Sequence, residues 1–165
     1  MFIRVCITLA FCYSDYCVET IPIIKKKVIP PDAQYTVQWS PILPGDRFTI
    51  RQKVPSMSGI YQLFYEDRYK KLVLIDMDIA WYGGLRANLR DFSDPDKERD
   101  SHIKQILESK KLFCRYTLSE SFRDLTDVLS LLAVEEFENW EDFEPTKRYE
   151  KIFLKEVSPN KIVSI

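Results

Sequence analysis

The run Gly59-Ile60-Tyr61-Gln62-Leu63-Phe64-Tyr65 is followed by the charged stretch Glu66-Asp67-Arg68-Tyr69-Lys70-Lys71. Leu72-Val73-Leu74-Ile75 through Ile79-Ala80-Trp81-Tyr82 then resumes the same character and ends at Gly83-Gly84. Both runs are rich in β-branched and aromatic residues, which fit a pleated surface better than a helix. Two such runs around a polar turn predict a β-hairpin. Everything else in the chain is placed relative to that hairpin.

Downstream the period changes. Leu85, Leu89 and Phe92 recur at i, i+4 and i+7, one stripe of a helix, with Arg86 and Arg90 on another face. Asp94-Pro95 has the form of an N-cap followed by a first-turn proline, predicting a second helix with Ile103, Ile106 and Leu107 as its apolar stripe. Leu112 to Thr117 reads as a third strand, and Tyr149 to Val157 as a closing one. Between them Ser121 and Asp124 stand at capping-box spacing before a helix whose apolar face is Leu125, Val128, Leu129 and Leu132. Glu136 falls on that stripe, four residues after Leu132. A carboxylate there needs a cation, a donor or solvent, because burying it unpaired is costly.

Upstream, Pro22, Pro30, Pro31, Pro41, Pro44 and Pro55 crowd the chain, so residues 20–58 are expected to be largely extended. Phe48 to Val54 reads as one strand of that region, and Lys25-Lys26-Lys27 as a solvated loop. The expected fold class is α/β: a small, mostly antiparallel, three-stranded sheet flanked by helices. Residues 46–165 form a single domain in this reading, and residues 1–45 an N-terminal extension.

Composition excludes several functions. One histidine, His102, cannot build a Cys₂His₂ or His₃ zinc site, and leaves a histidine-dependent triad a single possible base. Three of the four cysteines (Cys6, Cys12 and Cys17) lie near the N-terminus with Cys114 alone in the body, which is no disulfide framework. Twenty-four basic against 25 acidic side chains give −1, without the basic footprint of a typical nucleic-acid binder. The charge is uneven: residues 46–115 carry fourteen basic and eleven acidic groups, residues 116–165 six and eleven. Met1 to Tyr13 has the outline of a secretory signal but no small-residue cleavage site, and is too short to span a bilayer. A cytoplasmic protein is expected, with export as the alternative.

The order of hairpin, arginine-bearing helix, third strand and glutamate-bearing helix resembles the GIY-YIG nuclease family over about residues 59–148. Gly59-Ile60-Tyr61 matches the first motif, and Tyr82-Gly83-Gly84 the second with Gly83 as its middle residue. Asn88-Leu89-Arg90 matches the Asn-Leu-Arg common at the family's first helix, and Glu136 lies nine residues before Pro145, as the family's metal-binding glutamate often does. The resemblance implies Mg²⁺-dependent cleavage of DNA phosphodiesters. Tyr61 would act as base or its relay with Tyr82 beside it, Glu136 would hold Mg²⁺, and Arg90 or Arg86 would clamp the phosphate, with Asn88 nearby. Such hydrolysis needs a base, a cation opposite the developing charge and a metal on the phosphate.

The chain also departs from the family. Phe92 stands where the family has its arginine, twenty residues from Gln62 to Trp81 separate the motifs, and Arg148 occupies the place of an asparagine beyond the proline. Losing a transition-state clamp costs orders of magnitude in rate. Three readings stay open: a weak or degenerate nuclease using Mg²⁺, a catalytically inactive module binding nucleic acid or a protein, and a small exported protein. Among smaller features, Asp76 and Asp78 share a strand face and either chelate a cation or mark a bulge that absorbs the extra length between motifs. Trp81 either stacks a base or packs inside.

Overall fold

Alternation along the strands sorts most of the chain into two packing faces. The computed structural model describes residues 21–136 and 143–159. The signal-like start and its three cysteines lie outside these residues. The described elements are β1 (Ile24–Ile29), β2 (Asp32–Gln38), β3 (Leu43–Pro44), α1 (Arg47–Lys53), β4 (Gly59–Glu66), β5 (Leu72–Ala80), α2 (Gly84–Phe92), α3 (Ser101–Ser109), β6 (Leu112–Leu118), α4 (Phe122–Glu136) and β7 (Ile152–Val157). The class is mixed α/β.

There are two sheets. β3, β6, β4 and β5 lie side by side in that order, all antiparallel, so the expected three strands gain a fourth, the short β3, at one edge. The expected hairpin is β4 and β5, and its central strand β4 also pairs with β6. The second sheet has the order β1-β2-β7, with β1 antiparallel and β7 parallel to β2. Residues 24–44, expected as part of an extension, therefore supply strands to both sheets. The boundary at residue 45 separates no packing unit: β2 is zipped to β7 and β3 to β6.

Three further expectations change. Phe48 to Val54 is helix and its end, not strand: the Asp46 carboxylate accepts hydrogen bonds from the Phe48 and Thr49 amides, and that N-cap outweighs the β-propensity of Phe48, Thr49 and Ile50. The second helix starts at Ser101 rather than beside Pro95. Asp100 is its cap, accepting from His102 N and Ile103 N, while Asp94 closes a turn. Lys25-Lys26-Lys27 is likewise strand, not loop.

Helix α4 lies between the sheets. Its Leu125, Val128, Leu129, Leu132 and Ala133 pack with Ala33, Tyr35 and Val37 of β2 on one side and with Ile60 and Met77 on the other. The opposite face of the four-stranded sheet carries Tyr61, Leu63, Ala80, Cys114 and Tyr116, covered by Ile50 and Val54 at α1, Leu85 and Leu89 of α2, and Leu107 of α3. Each large apolar side chain buried in these clusters contributes about 1.5–3 kcal/mol. No helix among the described residues is long and apolar enough to cross a membrane.

Candidate functional site

The motif glycines have packing reasons of their own. A Cβ on Gly59 would stand 2.1 Å from the Thr117 carbonyl oxygen, because β6 runs that close to the start of β4. Gly84 has φ +74°, and its Cβ would meet the Ser56 backbone at 2.8 Å. Only glycine fits both constraints without strain. The loop before β4 is fastened to α2 by Leu85 N to Met57 O and Arg86 N to Pro55 O. The start of the hairpin and the start of α2 thus form one unit.

Tyr61 lies on the α2 side of the sheet and is fully buried. Its hydroxyl donates to Asp76 Oδ2 at 2.8 Å, and its ring meets Phe92 with 5.6 Å between centroids. Burial, and then the neighbouring Asp76 charge, hold the phenol far above its ordinary value. Asp76 is itself raised, chiefly by burial, which the hydrogen bond from Tyr61 only partly offsets. Asp78 stands opposite Tyr61 in the register and is also raised by burial, against a bond from its own neighbour Ile79 N. The register slips between Leu63 and Phe64, where Ile75 is the extra residue, so β5 carries the bulge that takes up part of the added length.

The other candidates sit elsewhere. Tyr82 is 87% exposed. Asn88 Nδ2 donates to the Tyr82 and Gly84 carbonyls, each at 2.8 Å, so this side chain braces the loop into α2. Arg86 Nε donates to Val54 O at 2.8 Å and is held by the backbone. Arg90 is exposed, 3.8 Å from Asp91 Oδ1, and lines a cleft of about 270 Å³ with Arg47, Ser93 and Asp94. Phe92 is 42% exposed and covers Tyr61 at the end of the helical stripe. Trp81 packs edge-on against Phe122, 5.4 Å between centroids.

Glu136 is exposed at the last residue of α4. Its charge acts on Arg115, whose guanidinium lies over Trp39 and donates to Gln62 Oε1 at 2.6 Å. Ile60 and Tyr61 point to opposite faces, and α4 packs on the Ile60 face. The structure therefore puts Tyr61 and Glu136 on different sides of the four-stranded sheet. Tyr82 and Asn88 lie at the start of α2 and Arg90 in its last turn, on the helix that covers the tyrosine face rather than the one that bears the glutamate. Among the described residues no three His, Cys, Asp or Glu side chains come together so as to hold a metal ion, and Glu136 alone would offer its carboxylate to Mg²⁺. Cys114 is buried, and burial pushes its thiol up to about 12, which removes it as a nucleophile.

A second polar cluster was not foreseen. On α4, Asp124 accepts from Lys26 Nζ at 2.9 Å, from Tyr35 at 3.0 Å and from Arg148 Nη2 at 2.8 Å. Asp127, fully buried, accepts from Arg148 Nη2, from Tyr35, and from the Thr146 amide and hydroxyl at 2.7 and 2.6 Å. Burial raises the Asp124 carboxyl, but the bonds from Lys26, Arg148 and Tyr35 outweigh it and leave the group below its usual range. The available signal was the i, i+3 spacing of two carboxylates beside the apolar stripe, which demands cations from elsewhere. This cluster binds α4 to β1, to β2 and to the segment before β7.

No curated protein and no solved structure matches the chain. Residues 23–165, which span both sheets and all four helices, match the model of a family described as "Uncharacterised protein", and the chain belongs to that family.

Proposed function

We propose that the chain is a GIY-YIG-like module that works by binding nucleic acid and has lost nuclease catalysis. The observation that carries this reading is Tyr61: fully buried, its hydroxyl committed to Asp76, under the Phe92 ring. A general base must reach the attacking water within hydrogen-bond distance, directly or through one water. A phenol in this setting has neither the access nor the acidity. Phe92 adds to the argument, since it fills the family's clamp position with an apolar ring. Glu136 stands on the helix that packs against the other face of the sheet, away from that tyrosine. The sequence order of β4, β5, α2, α3, β6 and α4, with β4 between β5 and β6, supports the resemblance at the level of the scaffold. What stays accessible near α2 is Tyr82 and Arg90, an aromatic and a cation suited to stacking and to a phosphate.

The test is a nicking assay on plasmid and branched DNA with Mg²⁺, beside a binding titration at low salt. The wild type is expected to leave both substrates intact while binding them in a salt-dependent manner. Arg90→Glu is expected to weaken binding several-fold. Mg²⁺-dependent cleavage that disappears in Glu136→Ala would overturn the loss of catalysis. Absence of any binding at low salt would overturn the nucleic-acid partner.

A further inference from the structure

The three-stranded sheet turns one face to α4, and among the described residues nothing covers the other. Alternation sends Lys26 inward to Asp124 and Lys25 and Lys27 outward. On β7, Ile152, Leu154 and Glu156 face inward, so Phe153, Lys155 and Val157 face outward. The register aligns Lys25, Thr36 and Lys155 in one row across the sheet, and Lys27, Gln34 and Phe153 in the next. Neighbouring strands lie about 4.8 Å apart and alternate residues about 6.7 Å along a strand, so Lys155, Lys27 and Lys25 stand about 7, 10 and 12 Å from Phe153, which takes the fourth corner of the rectangle. Phe153 is 53% exposed. Among the described residues Lys25, Lys27 and Lys155 take part in no ion pair. The one carboxylate on this face is Asp32, at its corner, where it accepts from Lys151 N.

We infer that this open sheet face is a docking platform for single-stranded nucleic acid, with Phe153 stacking a base and Lys25, Lys27 and Lys155 meeting the flanking phosphates. Charge complementarity selects a polyanion. The exposed aromatic beside the lysines selects one with unstacked rings, because stacking on a side chain takes any base and needs it free of its neighbours. A duplex is disfavoured, since reading a groove takes a helix or ribbon that protrudes into it, and this face is a sheet surface. The amides and hydroxyl of Gln34, Gln38 and Thr36 in the middle strand offer donors and acceptors for base edges, which a lipid surface would leave unused. The inference shares only its partner class with the proposal for α2 and rests on a different sheet.

The experiment is fluorescence anisotropy with a labelled oligothymidylate of about twenty nucleotides on the full chain. Three phosphate contacts to a single strand predict a log–log salt slope near −2. Lys25→Ala/Lys27→Ala/Lys155→Ala is expected to bring that slope towards zero, and Phe153→Ala to weaken binding about tenfold with the slope kept. Phe153→Tyr is expected to bind like the wild type, which separates stacking from a folding defect; circular dichroism checks each variant. Lys110→Ala, at an exposed lysine just past α3, is expected to leave this binding unchanged; loss in Arg90→Glu while the triple lysine variant and Phe153→Ala bind like the wild type would assign the strand to α2 and sink the platform. An equal fall in affinity for a duplex of the same length in the triple lysine variant, or preference for phosphatidylserine vesicles over the oligonucleotide, would also overturn it.

Discussion

Two pairs of aspartates lie on opposite sides of the four-stranded sheet, and the molecule treats them in opposite ways. Asp124 and Asp127, three apart on α4, are met by a guanidinium, an ammonium, a phenol and a threonine drawn from β1, β2 and the segment before β7. Asp76 and Asp78, two apart on β5, have one phenol and the backbone amides of their own next residues, Met77 and Ile79. The first pair is compensated and ties four parts of the chain together. The second carries a standing electrostatic cost at Asp76, whose carboxyl is raised chiefly by burial, with Asp78 exposed two residues along. A charge that recruits partners from distant segments acts as a fastener, whereas one left nearly alone under a helix is a strain the rest of the fold carries.

The strongest way to break this contrast is Arg148→Met, which strands two carboxylates at once. We expect a loss of about 3 kcal/mol in urea unfolding at neutral pH. A loss below about 1 kcal/mol would mean that solvent already compensates the pair. Next comes Asp124→Asn, which keeps the shape and removes the charge met by Lys26 and Arg148; the expected loss is about 2 kcal/mol. Its pH dependence follows from a folded value that is lowered. The contribution of Asp124 is complete above the unfolded carboxylate value and is lost as pH falls through the folded one, so the gap between wild type and variant narrows in acid.

On the other face smaller effects of mixed sign are expected. Tyr61→Phe removes the one side-chain donor to Asp76 and should cost about 1 kcal/mol at pH 7. Asp76→Asn keeps an acceptor for Tyr61 and removes the charge, so it should gain up to about 1 kcal/mol at pH 7. Here the folded value is raised: ionisation costs stability above it, and the cost is relieved as pH falls through it towards the unfolded value. The advantage of the asparagine should therefore shrink on acidification, the same direction of change in magnitude as for Asp124 but from the opposite sign. A destabilised Asp76→Asn at pH 7 would show that the charge of this carboxylate is compensated in the folded state and overturn the contrast. Smallest of all, Glu136→Ala should change unfolding stability by no more than about 0.5 kcal/mol, as expected of an exposed helix end.

The same contrast explains what was legible in the sequence. Local signals carried far: the hairpin, the α2 stripe, the strand at Leu112 and the helix after Ser121 each follow from period and propensity over a dozen residues. α1 was misread because three residues with β-propensity hid behind a cap one position upstream, where Asp46 sets the backbone. The edge strand β3 and the whole second sheet were illegible because their partners lie far away in the chain. Of the candidate site, the placement of Tyr82 and Asn88 at the start of α2 and of Arg90 further along the same helix could be read from spacing. That Tyr61 turns to the helix-covered face while Glu136 ends the helix on the other could not. It depends on which sheet face α4 chooses, and that is decided by β2 and its Tyr35, not by the motif.

Strand β2 has a consequence for how the chain reaches this state. It is the middle of its sheet, and its parallel neighbour begins 119 residues after it, the separation between Asp32 and Lys151. A ribosome releasing this chain exposes the β1–β2 pair with an unfilled edge until β7 has emerged. Neither α4 nor Asp124 near its start has its full set of neighbours before then. Folding should accordingly be slow and late, with loop closure over most of the chain as the rate-limiting event, and the unpaired edge of β2 is where a nascent or truncated copy would meet another.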